Sequence, residues 1–554
     1  MPRSVLFLVA AVAGAISLSV SAQATAQPLP ADQRQLVDKV FAAYDKADSP
    51  GCALAVYRGG EIAYTRGYGL ASLEHRVPIT PQTVFDIGST SKQFTAFSIL
   101  LLERDGKLSL DDDVRTHVPE LQPLDPVVTV RHLMLHTSGL RDYLTLWRLA
   151  GMKLENWTTQ EDAVRLVVRQ RRGNFPAGAD WLYSNTGYLL LAEIVKRASG
   201  QSLREFAGAR IFAPLGMTHT FFLDDHTKVV PGRATGYAPR DGGGFSVDMS
   251  NFEQTGDGAV QTTVEDLLRW DTNFYGATVG DRALLERAQA VGSLANGKKL
   301  DYAAGLVIGT YRGLPTVRHG GSWAGYRAEL LRFPTANTSV ACLCNLGSTN
   351  PSALADGVAD IVLAPRLQPK PLLASPDARP AVALPAGRIE DLAGFYENAA
   401  TGAFRRFTVK DGALVGLGQR LKPVAPDRFV PQAPGVEIYF PPAAPNRVQE
   451  MQIIREGGGP EVHHRVAPPA AVNLEEFAGT FYSDELDAVW TLAVRNGRLT
   501  ARVLNDPPSA LTAAKTDVFV SDEGLVLRFE RNAGAVTRAA VQAGRVTNLV
   551  FTRR

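Results

Sequence analysis

The sequence predicts a multidomain α/β protein: one large domain in which a sheet is flanked by helices, followed by two small antiparallel β-barrels. Three observations predict it. Strand-like runs stand at both ends of a long, mostly helical stretch, a proline-rich break follows, and the tail beyond the break repeats itself. At 554 residues the chain is also too long for a single hydrophobic core.

The N-terminus reads as a removable export signal. Arg3 precedes an apolar run from Val5 to Val20, and the small residues of "SAQATAQ" offer Ala-x-Ala cleavage after Ala24 or Ala26. The run is shorter than the roughly 20 apolar residues of a membrane-spanning helix, and no second run follows it, so no stable membrane insertion is expected. Residues 1–26 are therefore assigned to the signal, and a secreted or periplasmic protein is expected. The formal charge of +2 supplies neither the basic field of a nucleic-acid binder nor a polybasic membrane anchor.

Residues 30–365 form the large domain. "GCALAVYRGGEIAYTRGYGLA" carries two β-rich runs around Gly59 and Gly60, a hairpin signal. Three more strand-like runs lie near 316–347, so one sheet closed by the two ends of the domain is expected, with helices packed against it. The cysteines number three, Cys52, Cys342 and Cys344, too few for a disulfide scaffold. Cys342 and Cys344 share a face of one strand and read as small buried apolar residues; a bond from Cys52 to one of them is the alternative.

Residues 366–387 hold the prolines of an extended linker. Beyond it, "IEDLAGFYEN" from Ile389 returns as "LEEFAGTFYSD" from Leu474, and "FTVKDGALVG" from Phe407 as "LAVRNGRLTA" from Leu492, both 85 residues on. Asp-Gly and Asn-Gly turns mark hairpins in each copy, giving barrels over 388–466 and 473–554.

The chemistry gathers in three strings. In "FDIGSTSKQF", Ser89 stands at the entrance of an apolar helix with Lys92 three positions on. Serine is a favoured helix cap, but residues i and i+3 are also neighbours at about 5–6 Å. A lysine there can take the hydroxyl proton, and backbone N–H groups at a helix start favour the resulting negative charge. In "YSN", Tyr183 and Asn185 project to one side of an extended segment: a phenol to carry a proton to the leaving group, and an amide to bond Lys92 and the substrate. In "VRHGGSWAGY", His319, Gly320 and Gly321 end a strand whose open edge suits a peptide-like substrate. The backbone N–H groups of Ser89 and Ser322 can form an oxyanion hole.

In chain order, "STSK", "YSN" and "HGG" match the SxxK, YxN and K/HxG strings of the serine β-lactamase and penicillin-recognising superfamily, which residues 36–365 resemble. "PLGMTHT" and "GAVQTTVEDLLRW" are similar to further signatures of its class C, peptidase S12 branch. The resemblance implies a β-lactamase/transpeptidase-like catalytic domain with a helical subdomain, and the layout is similar to D-aminopeptidases with two lipocalin-like barrels. It implies Ser89 as acylated nucleophile, Lys92 and Tyr183 as proton-transfer pair, and Asn185, His319, Gly320 and Gly321 on the substrate side. It also implies that a loop of the last barrel reaches the active-site mouth, for which "LNDPPSALTAAKTD" from Leu504 is the candidate, with Asp506 facing a substrate ammonium. Trp323 and Tyr326 are candidates for the wall of the acyl pocket.

His319 stands where most β-lactamases have lysine, and a neutral imidazole is a weaker partner for a β-lactam carboxylate. The expected activity is acyl transfer to water from D-aminoacyl peptides, amides or small esters. The alternative is a penicillin-binding or sensing protein, or a weak β-lactamase, that acylates Ser89 with little turnover. No cofactor or metal is implied: His132 and His136, spaced i and i+4, lack a further ligand nearby. The partner expected is a small peptide, amide or ester; nucleic acid is not, and a homodimer is compatible with the sequence.

Overall fold

Strand β1 (Cys52–Arg58) turns through Gly59 and Gly60 into β2 (Glu61–Tyr68). Both glycines have positive φ, 59° and 84°, as the two central residues of a type I′ hairpin require. The computed structural model describes residues 27–369, 379–385, 387–431, 436–442, 449–455 and 459–554. Residues 1–26, expected to be an export signal, and residues 370–378 of the proline-rich segment lie outside them.

The hairpin joins β3 (Val307–Tyr311), β4 (Leu314–Trp323), β5 (Tyr326–Phe333) and β6 (Thr338–Cys344) in one antiparallel sheet of order β3-β4-β5-β6-β1-β2. The two ends of the domain thus close one sheet, as expected. The strand missed in the sequence is β3, an edge strand without a clean apolar alternation.

Period-2 alternation splits β1 between two cores. Ala53, Ala55 and Tyr57 face the larger one with Phe94, Phe97 and Ile99 of the helix Lys92–Arg104. Cys52, Leu54 and Val56 face a second one with Val37 and Phe41 at the N-terminal helix and with Ala355, Val358 and Val362 of the helix Pro351–Val362. Helices therefore cover both faces of the sheet. Among the described residues no helix is long and apolar enough to cross a membrane.

The alternative reading of the cysteines holds for one pair. Cys52 pairs in register with Cys344 across β1 and β6, and the two form a disulfide. Cys342 is a free, buried thiol, 3.6 Å from the Cys344 sulfur; burial pushes its pKa up.

The repeat is visible in three dimensions. Gly394 and Gly479 open the first strand of each copy with φ of 149° and 144°, and a Cβ on either would press on an arginine, Arg465 or Arg553 respectively. Arg465 donates to the carbonyls of Asp391 and Ala393, and Arg553 to those of Glu476 and Ala478. Among the described residues the first copy forms a nine-stranded antiparallel sheet and the second a closed eight-stranded barrel.

The last barrel docks on the catalytic domain. The Arg141 side chain is wholly buried and donates to the carbonyls of Thr547 (2.9 Å) and Asn548 (2.6 Å), to Gln170 (3.0 Å) and to the Glu485 carboxylate (2.9 Å). Asn174 donates to the Arg545 carbonyl at 3.0 Å and accepts from Thr547 N at 2.8 Å, and Trp490 donates to the Leu149 carbonyl at 2.8 Å.

Candidate active site

Ser89 lies in a single 3-10 turn, Gly88–Ser91, that runs straight into the helix Lys92–Arg104. In a 3-10 turn residues i and i+3 eclipse, so Lys92 is brought directly over Ser89. The helix N-cap is Ser91, which makes no side-chain capping bond; Ser89 is therefore not the cap. Lys92 is fully buried. Its Nζ lies 3.0 Å from Ser89 Oγ, 3.0 Å from Asn185 Oδ1 and 2.6 Å from the Asp257 carbonyl.

The turn is pinned from beneath. Asp86 Oδ1 accepts from Gly88 N at 2.7 Å and Oδ2 from Gln261 Nε2 at 2.8 Å. Burial pushes the Asp86 carboxyl up to about 6, against these two bonds. Gly88 needs its φ of +48° and its lack of a side chain, because a Cβ would fall 2.7 Å from Ser322 N. A Cβ on Gly321 would fall 1.9 Å from the Ile87 carbonyl, and Thr90 Oγ1 donates to the His319 carbonyl at 3.1 Å. The two glycines thus let the edge of β4 press against the serine turn, which sets the backbone of Ser322 beside that of Ser89.

Asn185 begins the helix Asn185–Ser199. Its own N–H donates to Asp142 Oδ2 at 2.8 Å, an anion at a helix N-terminus, which leaves its side chain for Lys92. The Tyr183 ring lies 4.9 Å from Lys92 Nζ, and its hydroxyl is buried with no hydrogen-bond partner among the described residues, a costly state for a buried polar group. His136 packs against Tyr183 with ring centroids 4.2 Å apart. It has a φ of +61° and accepts from Ser184 N at 3.2 Å; burial, then the Lys92 charge, holds its pKa well below the ordinary value. His132 instead caps its own helix reciprocally with Thr129.

His319 departs from its expected part. Its Nδ1 donates to the Gly320 carbonyl at 2.7 Å and its Nε2 accepts from the Tyr302 hydroxyl at 3.0 Å. Burial and then the Lys92 charge lower it to about 4, so the ring is neutral and both nitrogens are occupied within the protein. The side-chain bond to substrate is not offered by this geometry; the backbone of Gly321 and Ser322 is what faces the serine turn.

A cavity of about 270 Å3 opens beside Ser89, lined among others by Asp86, Asn185, Asp257, Ser322, Trp323 and Tyr326. Trp323 and Tyr326 stand in its wall as expected. Asp257 was not found from the sequence: its carboxyl, which Tyr143 approaches at 3.2 Å, is pushed up to about 6 by burial against the opposing Lys92 charge. Asp506 is a correction. It pairs with Lys153 at 3.1 Å and lines a separate cavity with Arg148 and Trp490. The last barrel reaches the active site instead through the turn at Arg545, whose guanidinium lies 4.8 Å from the centre of the Tyr183 ring.

Residues 37–364 match the sequence profile of the family described as Beta-lactamase. The chain belongs to the beta-lactamase family. Among curated relatives, this family member is 33% identical over 312 residues to Penicillin-binding protein 4* of Bacillus subtilis (strain 168), covering 52% of this chain and 66% of that protein, just under two thirds of its length. It is 27% identical over 521 residues to the D-aminopeptidase of Gluconobacter oxydans (strain 621H), covering 91% of this chain and 96% of that one. The octameric penicillin-binding protein homologue from Pyrococcus abyssi superposes with a TM-score of 0.57 at 23% identity, over 78% of this chain and 99% of that one. The fold is therefore β-lactamase-like, with two β-structured domains appended.

Proposed function

We propose that this hydrolase of the serine beta-lactamase family cleaves peptides or amides with a D-residue at the amino end, and small esters, through an acyl-enzyme on Ser89. The observation that carries the reading is the Lys92 amine, 3.0 Å from Ser89 Oγ with its other bonds fixed on Asn185 Oδ1 and the Asp257 carbonyl. With two N–H donors so held, the remaining position of Lys92 Nζ is turned toward Ser89 Oγ.

Ser89 Oγ attacks the carbonyl carbon while its proton passes to Lys92. The oxygen takes the negative charge between the N–H groups of Ser89 and Ser322. The C–N or C–O bond then breaks, and Tyr183 delivers the proton to the departing amine or alcohol. Water repeats the attack on the ester, returns a proton to Ser89 and releases the acid. Relatives named D-aminopeptidase over nearly the whole chain support the D-aminoacyl preference, and the neutral His319 argues against efficient hydrolysis of carboxylate-bearing antibiotics.

Export belongs to the same proposal: removal of the signal within residues 1–26 delivers the enzyme to the cell exterior or periplasm, and an N-terminus at Thr25 or Gln27 on the secreted protein checks it. The activity is tested with D- and L-aminoacyl amides, short esters and a chromogenic cephalosporin, with Ser89→Ala as control. D-amide turnover lost in the variant supports the reading. A stable penicillin adduct on Ser89 with no turnover of any substrate supports the penicillin-binding alternative suggested by the 33% identical relative.

A further inference from the structure

The Arg545 guanidinium stands over the ring of Tyr183 at 4.8 Å and 3.6 Å from Asp142 Oδ2. Its backbone is fixed: the Arg545 carbonyl accepts from Asn174 Nδ2 at 3.0 Å and from Asp142 N at 3.4 Å, while the following residues Thr547 and Asn548 are held by buried Arg141. Its side chain is not so held. Among the described residues the guanidinium donates no hydrogen bond, and it remains 41% exposed. Asp142, only 2% exposed, already accepts from Thr145 N at 3.0 Å, from Thr145 Oγ1 at 3.1 Å and from Asn185 N at 2.8 Å. A guanidinium carries five donors in a planar fork suited to a carboxylate, and this one has them unspent beside Tyr183.

We infer that Arg545 of the last barrel is a specificity-determining residue that binds an anionic leaving group, selecting substrates whose departing amine or alcohol carries a carboxylate. This rests on the proposed function, in which Tyr183 faces the leaving group. The barrel thereby supplies the cation that His319 does not, but on the leaving-group side, so dipeptides with a free C-terminal carboxylate are preferred over simple amides. The Tyr183 ring is packed by Arg545, His136 and Lys92, so a purely positional role for Arg545 is the reading to exclude.

The test uses the full chain with Arg545 intact, Arg545→Gln and Arg545→Lys. Its substrates are two esters with the same acyl group, one leaving as phenol and one as 3-carboxyphenol, together with D-alanylglycine and D-alanine amide. Arg545→Gln is expected to lower kcat/KM for the carboxylate-bearing member of each pair by about 10- to 100-fold, the worth of a charge-assisted bond, with neutral members within about twofold. Arg545→Lys is expected to recover part of the loss, and salt to narrow the wild-type preference. Equal loss on charged and neutral substrates would make Arg545 a positioning residue for Tyr183 and overturn the inference, as would no loss at all. Discrimination between the esters without hydrolysis of either D-substrate would leave the inference standing and remove the D-aminoacyl reading. No reaction of the wild type with any of the four would overturn both.

Discussion

Lys92 Nζ and the backbone carbonyl of Asp257 are 2.6 Å apart, so the amine proposed as the base is oriented by a main-chain atom as well as by the Asn185 side chain. Removing the amine should disable proton transfer without unfolding the protein. Lys92→Met is expected to lower kcat/KM for esters by about 10³-fold or more, and Tyr183→Phe by about 10²- to 10⁴-fold, with near-ultraviolet circular dichroism unchanged. Among the described residues the buried Tyr183 hydroxyl has no hydrogen-bond partner, so its loss should not lower, and can raise, the unfolding free energy.

Arg141 and Glu485 make a buried ion pair at 2.9 Å between the catalytic domain and the last barrel, one residue from Asp142. Glu485→Ala leaves the guanidinium without its carboxylate and should cost about 3–5 kcal/mol, measured by denaturant unfolding. Because Asp142 receives the Asn185 N–H, kcat should fall as well, and a double-mutant cycle with Arg141→Met should show strong coupling.

His319 makes stability depend on pH. The native ring titrates near 4 because of burial first and Lys92 second, whereas the ordinary value is 6.5. The unfolded chain therefore binds the proton first as pH falls. The contribution of the neutral ring is complete above about pH 6.5 and is lost as pH falls toward 4, by about 3 kcal/mol in all. Asp86 and Asp257, both raised to about 6, titrate with the opposite sign, but they are common to wild type and His319→Gln. The stability difference between those two proteins, read by urea unfolding across this range, should shrink on acidification; a constant difference would remove the assignment.

The Cys52–Cys344 disulfide closes 292 residues by joining the first and last sheet strands of the catalytic domain. Denatured without reductant the protein should show one reactive thiol, Cys342, and with reductant all three cysteines. Reduction should lower stability by about 5–6 kcal/mol through the loop entropy of the unfolded chain.

What the sequence disclosed of the site was what is local in the chain. Ser89 and Lys92 are one turn apart, Tyr183 and Asn185 two residues apart, and Gly320–Gly321 announces a close backbone approach that Gly321 meets at Ile87. Asp257 escaped notice because it gives Lys92 only a carbonyl, which every residue has. Arg545 escaped because the hairpin turns of the repeat look alike, and which one faces the active site is decided by how Arg141 and Asn174 seat the barrel. The disulfide was ambiguous because Cys342 and Cys344 share a face, and only the register Cys52↔Cys344 chooses between them. The sheet and the repeat were legible because alternation and turn residues recur; β3 was not, since an edge strand has little apolar pattern to show.

Intact-protein mass spectrometry after rapid quenching with an activated ester of D-alanine shows whether Ser89 carries the acyl group. A transient adduct of one D-alanyl group is expected, located by digestion on the peptide containing Ser89, decaying as free D-alanine appears, and absent from Ser89→Ala. An adduct on another residue, or full hydrolysis by Ser89→Ala, would contradict it.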